Sequence, residues 1–403
     1  MWRSMQLMLC FVTANIGYRD DPSYVMTSQG PVRGQKENDG VYTFYNIPYA
    51  TAPTGEDKFK APLQPPEWTA PFEAVDKDVI CPQAEFGNNQ FMKKKNMQSN
   101  CLIANVYVPD TTKTNLSVVL YIHGGGFQIG YGDRRKAKNL MQTKRIIVVT
   151  FNYRLGIVGF LCLGTNDIPG NAGMKDILAM LRWLKKNIYS FGGNPNDITV
   201  SGYSTGAAAA DLLLLSKTAR GLFHKVIIES GSGIAPYAIQ LDPIENAKKY
   251  AKSLNFTEFK NIYALEKFYK KLHYDVIRAD AFLSRKDSSF VFVPCVENNG
   301  RRDTFLHDSP INILQSGDFT KVPMLNPVPE ESSLPLSWPP TNADRDPYIT
   351  LGPTVEISGR ILEEQINFWD EIYRKHYRDP IPPPKSSPAT SSHRIKMFQK
   401  RIG

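Results

Sequence analysis

A serine between two glycines is the residue of this chain best suited by type and surroundings to covalent chemistry. Gly202-Tyr203-Ser204-Thr205-Gly206 fits the pattern G-x-S-x-G, directly after the apolar run ITVS and before AAAADLLLL. Small residues two positions before and after the serine allow a sharp strand-to-helix turn that exposes the hydroxyl. We therefore predict that Ser204 is a nucleophile. A plain glycine-rich turn at a strand end is the alternative interpretation.

A nucleophilic serine needs hydrogen-bond donors for the negative charge that forms when it attacks a carbonyl group. The segment His123-Gly124-Gly125-Gly126-Phe127 follows another apolar run, SVVLYI, and glycines let backbone N–H groups approach such a charge. The N–H group of Thr205, the residue after the nucleophile, would complete the set of donors. His123 precedes the serine, whereas the general base comes last in this chain order. We expect His123 to support the glycine segment.

Elements that could position these residues alternate along the chain. Strands are predicted at SVVLYIH, RIIVVTFNY, ITVSG, KVIIES and VPML (322–325). Between the second and third strands, Ile177, Leu181, Leu184 and Ile188 recur at helical spacing with lysines opposite. This alternation predicts an α/β fold in which helices cover both faces of a mostly parallel central sheet.

The composition suits a single globular domain and gives no indication of nucleic-acid binding. The chain has 403 residues, of which 42% are hydrophobic and 22% charged, and its formal net charge is +9. Residues 374–403 contain eight Lys or Arg and one Asp, so this end carries most of the net charge. We predict one domain over residues 18–378, a disordered basic tail over 379–403 and no nucleic-acid partner.

The first 17 residues resemble a short secretory signal, with Arg3 before an apolar run and Val12-Thr13-Ala14 as a cleavage site. A buried N-terminal strand is the alternative. No stretch has the length of a membrane-spanning helix. We therefore expect a secreted protein, and Asn115 and Asn255 lie in sequons for glycosylation.

Four of the five cysteines follow this segment, and Cys10 lies within it. In an oxidising compartment we expect Cys81 to pair with Cys101, which would contribute about 3 kcal/mol on the chain-entropy estimate. Cys162, in the apolar run GFLCLG, is predicted to be a buried thiol. No Cys/His cluster has the spacing of a zinc site, so neither a metal nor a cofactor is indicated.

The chain as a whole resembles the type-B carboxylesterases, relatives of the cholinesterases on the α/β-hydrolase fold. The resemblance runs over about 32–331 and rests on FYNIPYATAPTGEDKF, CPQ, SNCLIANVYVP, HGGGF, NYRLGIVGFLCLG, GNAGMKDILAMLRWLKKNI, FGGNPNDITVSGYSTG, LFHKVIIESGS and VPCVE. GFLCLG and VPCVE resemble the moth branch of insect esterases. The family implies hydrolysis of a small hydrophobic ester through an acyl-enzyme, without a cofactor. It also implies that Gly125, Gly126 and Thr205 donate to the oxyanion and that Cys81 pairs with Cys101.

Two residues around the serine depart from the family pattern. The residue before the serine is usually acidic, and here it is Tyr203, which removes a negative charge and adds bulk. Thr205 replaces the usual alanine, which keeps the N–H group and adds a branched side chain. Both changes put activity at the level of the family in doubt.

The third group of the expected triad, an acid, is predicted in KVPMLNPVPEESSL. Aligned with the family, Glu331 falls on the acid position, and Glu330 is the second choice. A solvent-exposed acidic turn is the alternative interpretation of this segment.

No base can be assigned from the sequence. After Glu331 the chain resembles the extreme C-terminal segment of the family, so the last core strand and the following histidine loop are expected to be missing. His376 is expected to be structural, near the end of a helix over 361–377, and His393 falls in the tail. Removing the histidine of a serine hydrolase lowers turnover on the order of 10⁶-fold.

Three interpretations follow from this pattern. The chain is an ester hydrolase by descent with impaired turnover; or a non-catalytic protein of cholinesterase type that binds or sequesters esters; or a truncated splice form or defective gene model of an active esterase. The sequence defines neither the substrate nor the oligomeric state.

Overall fold

The computed structural model describes residues 21–83, 95–134, 138–259, 261–274, 290–297, 300, 302–326, 347–351, 355–360, 371, 375 and 378–384. Its strands are β1 (Tyr24–Thr27), β2 (Gly30–Arg33), β3 (Gln35–Lys36), β4 (Tyr42–Pro48), β5 (Phe72–Glu73), β6 (Val79–Ile80), β7 (Asn96–Met97), β8 (Ile103–Val108), β9 (Leu116–Ile122), β10 (Ile146–Phe151), β11 (Gly193–Tyr203), β12 (Lys225–Glu229), β13 (Met324–Leu325), β14 (Pro347–Leu351) and β15 (Val355–Arg360).

The α-helices are α1 (Lys138–Gln142), α2 (Gly156–Phe160), α3 (Ala172–Asn187), α4 (Thr205–Leu215), α5 (Pro243–Ser253), α6 (Ile262–Lys271) and α7 (Pro310–Ser316). Short 3₁₀ helices cover Gly55–Asp57, Gly132–Arg134, Ile188–Phe191 and Lys217–Ala219.

The central sheet has eight strands in the order β3-β4-β8-β10-β9-β11-β12-β13. From β10 to β13 all neighbours are parallel, whereas β3, β4, β8 and β10 pair antiparallel. The predicted mostly parallel sheet is therefore confirmed. Because parallel strands need crossovers, helices follow β9, β10 and β11 before the chain returns to the sheet.

Burial explains the long apolar runs of the central strands; it is complete on one face of β9 and, from Ile147 onward, on both faces of β10. In β9, Val118, Leu120 and Ile122 are fully buried, and in β10 Ile147 and Val149 are equally enclosed. Strand β9 lies between β10 and β11, within the parallel part of the sheet.

The two helices nearest the elbow bury different amounts of their surface. In α3 the predicted apolar stripe is confirmed, because Ile177, Leu181 and Leu184 are fully buried. Helix α4 is apolar on almost every side, and its alanines 207–210 are all buried. A helix that is apolar all round belongs inside the core, and the small alanines allow α4 to lie close to β11.

At one edge of the sheet, β13 forms as the VPML segment predicts, and it pairs with β12. Its side chains Met324 and Leu325 are exposed, and no other described strand pairs with β13 on its outer side. Strands β14 and β15 form a separate antiparallel pair. The predicted acid segment around Glu330 and Glu331 lies outside the described residues, as do His376 and residues 1–20.

Two disulfides cross-link the described part of the chain. The bond between Cys81 and Cys101 confirms the predicted pair. The prediction that Cys162 is a free buried thiol is wrong, because Cys162 is bonded to Cys295. The partners are 133 residues apart in sequence, and only the packing of residues 290–297 against the α2–α3 connection brings them together. Gly170 lies beside both sulfurs, where a Cβ atom would come within 2.6 Å of Cys162 Sγ.

The start of the predicted tail has a defined place on the domain. Ile381 N–H donates to Leu241 O at 2.7 Å, and Pro380 and Pro383 are buried. Pro383 lies over Gly164, where an added Cβ atom would come within 2.8 Å of it. Residues 385–403 of that tail lie outside the described residues. In the described part, no helix is both long enough and apolar enough to cross a membrane.

Candidate functional site

Ser204 occupies a strained turn, the nucleophile elbow (residues 202–206), between β11 and α4. Its backbone has φ 57° and ψ −124°, a conformation that side-chain-bearing residues rarely adopt. The flanking glycines are required by space: a Cβ atom at Gly202 would lie 2.2 Å from Gly206 O, and one at Gly206 would lie 2.2 Å from Ile122 O. Such strain in a non-glycine residue is characteristic of functional sites.

Backbone contacts from two neighbours hold this conformation. Ser204 N–H donates to Glu229 O at the end of β12, and Ser204 O accepts from Ala208 N–H in α4, each at 3.0 Å. Gly231 packs against the same carbonyl, since a Cβ atom there would lie 2.3 Å from Ser204 O. Ser204 itself remains partly exposed to solvent. The elbow is thus fixed, and Ser204 keeps part of its surface accessible.

The glycine loop (residues 123–127) lies beside the elbow because β9 and β11 are adjacent and parallel. Ile122, the last residue of β9, is the register partner of Gly202. A Cβ atom at Gly124 would lie 2.5 Å from Tyr203 O and 3.2 Å from Ser204 Cβ. Gly125 and Gly126 have positive φ values of 125° and 69°. The structure therefore brings together the two segments that the sequence singles out.

A side-chain hydrogen bond, which the sequence did not predict, joins the two segments. Phe127 N–H donates to Thr205 Oγ1 at 3.3 Å, and Thr205 is almost fully buried. The branched side chain that distinguishes Thr205 from the usual alanine thus holds the glycine loop against the elbow. A hydroxyl directly after Ser204 is the one sequence signal that could have suggested this contact.

His123 is enclosed beneath the glycine loop. Its Nδ1 donates to Gly124 O at 3.0 Å, and its ring stacks on Tyr153 with centroids 4.5 Å apart. Tyr153 OH in turn donates to His123 O at 2.9 Å, and burial raises the pKa of that phenol. Gly130 is confined to glycine because a Cβ atom would lie 2.3 Å from His123 Nδ1. These contacts suit a supporting role.

Tyr203 presents its side chain to solvent immediately before Ser204. It is 41% exposed, although it ends a strand whose preceding residues are buried. Glu229, its register partner in β12, accepts a hydrogen bond from Ser201 Oγ at 3.1 Å. An aromatic surface therefore borders Ser204 where an acidic side chain was expected from the family resemblance.

Asp211 connects α4 to the segment after β12 that packs on the elbow, and sequence reasoning missed it. From α4 its carboxylate accepts Gly233 N–H at 2.7 Å and the Ser232 hydroxyl at 3.1 Å. This holds the segment after β12, including Gly231, against Ser204. Burial raises the pKa of Asp211, and the two hydrogen bonds oppose that shift. Nothing in the sequence AAAADLLLL marks this aspartate as different from a surface residue.

The hydrogen bonds of two described histidines indicate structural roles for them. Of the four described histidines, His123 is held by Gly124, and His224 Nδ1 accepts Ile198 N–H at 3.0 Å. His224 has a lowered pKa because of burial and the neighbouring Lys185. His273 and His307 are the other two, and burial together with the neighbouring Lys217 lowers the pKa of His307. His376 and His393 lie outside the described residues.

Metal ligation has no support in this part of the molecule. Among the described residues, no three His, Cys, Asp or Glu side chains gather as ligands for an ion. The chemistry that this site can offer is that of a serine hydroxyl beside backbone N–H groups, which suits acyl transfer.

The fold and site together define a class. The sheet order, the strained serine after β11 and the glycine loop after β9 are those of an α/β-hydrolase with a serine nucleophile elbow. A model of the carboxylesterase family matches residues 21–336, which is most of the chain. The chain belongs to the carboxylesterase family.

Several characterised proteins are similar to it. A juvenile hormone esterase from Heliothis virescens is 32% identical over 87% of this chain, and a carboxylic ester hydrolase from Bombus ignitus is 32% identical over 93%. A cholinesterase from Mus musculus is 33% identical over 85% of the chain. The chain spans 66% of the length of the two insect relatives and 59% of the mouse protein.

The crystal structure of a juvenile hormone esterase from Manduca sexta, with OTFP covalently attached, superposes with a TM-score of 0.68 at 32% sequence identity. The match covers 75% of this chain and 59% of the moth enzyme. The α/β-hydrolase fold expected from the sequence is thereby confirmed.

Proposed function

We propose that this protein is a carboxylic ester hydrolase in which Ser204 attacks the carbonyl carbon of a small hydrophobic ester. The alcohol leaves, and the acyl group stays on Ser204 Oγ until water releases it as a carboxylic acid. The N–H groups of Gly125, Gly126 and Thr205 stabilise the oxyanion in both steps. Glu331 is assigned as the triad acid, with Glu330 as the second choice. No cofactor takes part.

The observation that carries this proposal is the strained backbone of Ser204 against the glycine loop. An enzyme stabilises an oxyanion best when its donors are fixed before the reaction. Here the loop is fixed twice, by the close packing of Gly124 on Ser204 and by Phe127 N–H on Thr205 Oγ1. A glycine-rich turn without function has no need of a serine at φ 57°.

We further propose that turnover is slow. Acylation requires the proton of Ser204 Oγ to be removed and then delivered to the departing alcohol, and the sequence assigns no histidine to this task; His123 and His224 each use Nδ1 for a backbone group. In another serine hydrolase, loss of the histidine costs on the order of 10⁶ in turnover, while the oxyanion donors and binding still act. The protein is therefore expected to bind esters and to be acylated slowly. Release of the acyl group by water is expected to be slower than acylation.

Two measurements on the same preparation test the proposal. OTFP is expected to add covalently to wild-type protein and not to Ser204→Ala, as read by intact mass. Hydrolysis of p-nitrophenyl butyrate is expected to be slow but above the Ser204→Ala background. Absence of both an OTFP adduct and Ser204-dependent hydrolysis from folded protein would contradict the assignment of Ser204.

A non-catalytic binding protein is the second candidate, and the exposed aromatic ring of Tyr203 beside Ser204 favours it. On that account a hydrophobic ester binds and is never cleaved. An ester-dependent rise in melting temperature with no product after prolonged incubation would select this function. Equal melting temperatures with and without ester would exclude it.

We also propose that the protein is secreted and glycosylated at Asn115 and Asn255. Both side chains are exposed, and the two disulfides are of the kind that forms in oxidising compartments. Expression in insect cells tests this: the protein should appear in the medium, and an N-glycosidase should reduce its mass. Asn115→Gln with Asn255→Gln should remove that mass change.

A further inference from the structure

A cavity of about 320 Å³ lies between α3 and the segment 61–67, and no residue of the elbow or glycine loop lines it. Its lining reaches Asn187 at the end of α3, which precedes the start of β11. Ser204 follows the opposite end of β11. We call this space the α3 cavity. Its volume is at the lower end of the range for small-molecule sites, roughly 300–1,000 Å³.

The floor of the α3 cavity is apolar and held in place. Leu178 and Trp183 are buried in it, and Leu63 stands at its edge, 59% exposed. Trp183 Nε1 donates to Gln29 Oε1 at 2.5 Å, and Gln29 Nε2 donates to the carbonyl groups of Pro48 and Pro66. This wall is therefore formed before any ligand arrives, which lowers the entropic cost of binding.

Two cationic side chains of α3 line the α3 cavity next to each other. Arg182 and Lys186 are one helical turn apart, both are exposed, and neither has an ion pair or side-chain hydrogen bond among the described residues. Lys175, deeper in the cavity, differs because it is bonded to the buried Glu297 at 2.7 Å. Its positive charge is therefore already balanced.

The acidic residues of the α3 cavity are Glu67 and Asp303. Asp303 lies 3.6 Å from Lys175, so it faces the cation that is already paired. Glu67 is exposed on the opposite segment, and neither acid forms an ion pair with Arg182 or Lys186 among the described residues. With Glu297 included, three acids and three cations balance in number, and Arg182 and Lys186 are the two cations without an ion pair among the described residues, so they are the groups that can hold one anionic head group.

We propose that the α3 cavity binds a medium-chain amphiphilic anion. Its head group pairs with Arg182 and Lys186, and its alkyl chain lies along Leu63, Leu178 and Trp183. The planar guanidinium group forms two parallel hydrogen bonds with a carboxylate or a phosphate, so both head groups share this chemistry. The site is separate from Ser204 and does not depend on the proposed hydrolysis.

Calorimetric titration of octanoate into full-length Ser204→Ala protein tests the proposal, because that background removes any reaction at the elbow. We expect saturable binding of one equivalent, weakened at least tenfold by Arg182→Ala with Lys186→Ala. Lys249→Ala with Lys252→Ala removes the same charge from α5, outside the cavity, and should leave the affinity unchanged. Exposed substitutions of this kind cost little stability, and melting curves verify that each variant is folded.

Further titrations distinguish the contribution of the anionic head group to affinity from that of the alkyl chain. Octyl phosphate is expected to bind comparably to octanoate, whereas 1-octanol and inorganic phosphate each bind at least tenfold more weakly. Ala179→Trp should fill the cavity and abolish binding without changing the charge. The proposal is overturned if octanoate fails to bind, if the α3 and α5 double variants bind it equally, or if 1-octanol binds as well.

Discussion

Gly124 and Ser204 are packed so closely that a single methyl group on the glycine would come within 3.2 Å of Ser204 Cβ. The same methyl group would lie 2.5 Å from Tyr203 O. The glycine loop and the nucleophile elbow are therefore one unit, and the position of either segment depends on the other. This contact underlies the account of Ser204 as a nucleophile aimed at a set of backbone donors.

Gly124→Ala is predicted to displace the elbow and to lower the rate of covalent labelling of Ser204 by more than tenfold. The backbone atoms that the new methyl group meets cannot move without shifting β11. Mass spectrometry of OTFP adducts over time measures the rate. Gly221→Ala is the control, because its methyl group would meet no atom within 4 Å; its φ of 75° adds a backbone strain that Gly124→Ala does not have, so the control is the more stringent. Unchanged labelling of folded Gly124→Ala would show that the contact is unimportant.

Thr205→Ala is predicted to slow labelling of Ser204 about fivefold, because Phe127 N–H loses its acceptor. A hydrogen bond of this type contributes about 1 kcal/mol net. Thr205→Ser keeps the hydroxyl and should label at nearly the wild-type rate. If the alanine and serine variants label equally, the hydroxyl does not position the glycine loop.

The contribution of Asp211 to the free energy of unfolding is predicted to fall as pH rises above about 4. Burial raises the pKa of this carboxyl above 3.8, so between 3.8 and the raised value the folded state binds more protons than the unfolded state. Stability is full below that window and is lost as pH rises through the folded-state pKa. Asp211→Asn stays neutral, so its stability relative to wild type should increase from pH 4 to pH 7.

Urea denaturation across this pH range measures the difference. Glu258→Gln, at an exposed carboxyl on the loop after α5, serves as the control and should run parallel to wild type. A constant difference between wild type and Asp211→Asn would show that Asp211 has the same pKa in both states.

The two disulfides are predicted to contribute unequally to the free energy of unfolding. On the chain-entropy estimate, the bond spanning 133 residues contributes about 5 kcal/mol and the bond spanning 20 residues about 3 kcal/mol. Cys162→Ser with Cys295→Ser should therefore lower the free energy of unfolding more than Cys81→Ser with Cys101→Ser does. Urea midpoints of the two double variants measure this. A larger loss for the shorter loop would contradict the estimate.

The parts of the site that the sequence predicted are those whose residues are local. The elbow and the glycine loop each have their small residues within five positions, and periodicity alone places Leu181 and Leu184 in the core. Their proximity follows from β9 and β11 being neighbours in a parallel sheet.

The parts that the sequence did not predict depend on contacts between distant segments. Cys162 meets Cys295 only after the chain has crossed the sheet, so its apolar neighbours suggested a free thiol. Asp211 lies in a run of alanines and leucines, and its partners Ser232 and Gly233 become visible only when the segment after β12 folds onto α4.

Labelling with a fluorophosphonate probe, followed by peptide mapping, tests the central claim most directly, because the reagent forms a covalent bond with an activated serine. The account predicts slow but specific modification of the peptide that contains Ser204, and none in Ser204→Ala. Folded wild-type protein that shows no modification, or modification equal to that of Ser204→Ala, would contradict the role of Ser204 as the nucleophile.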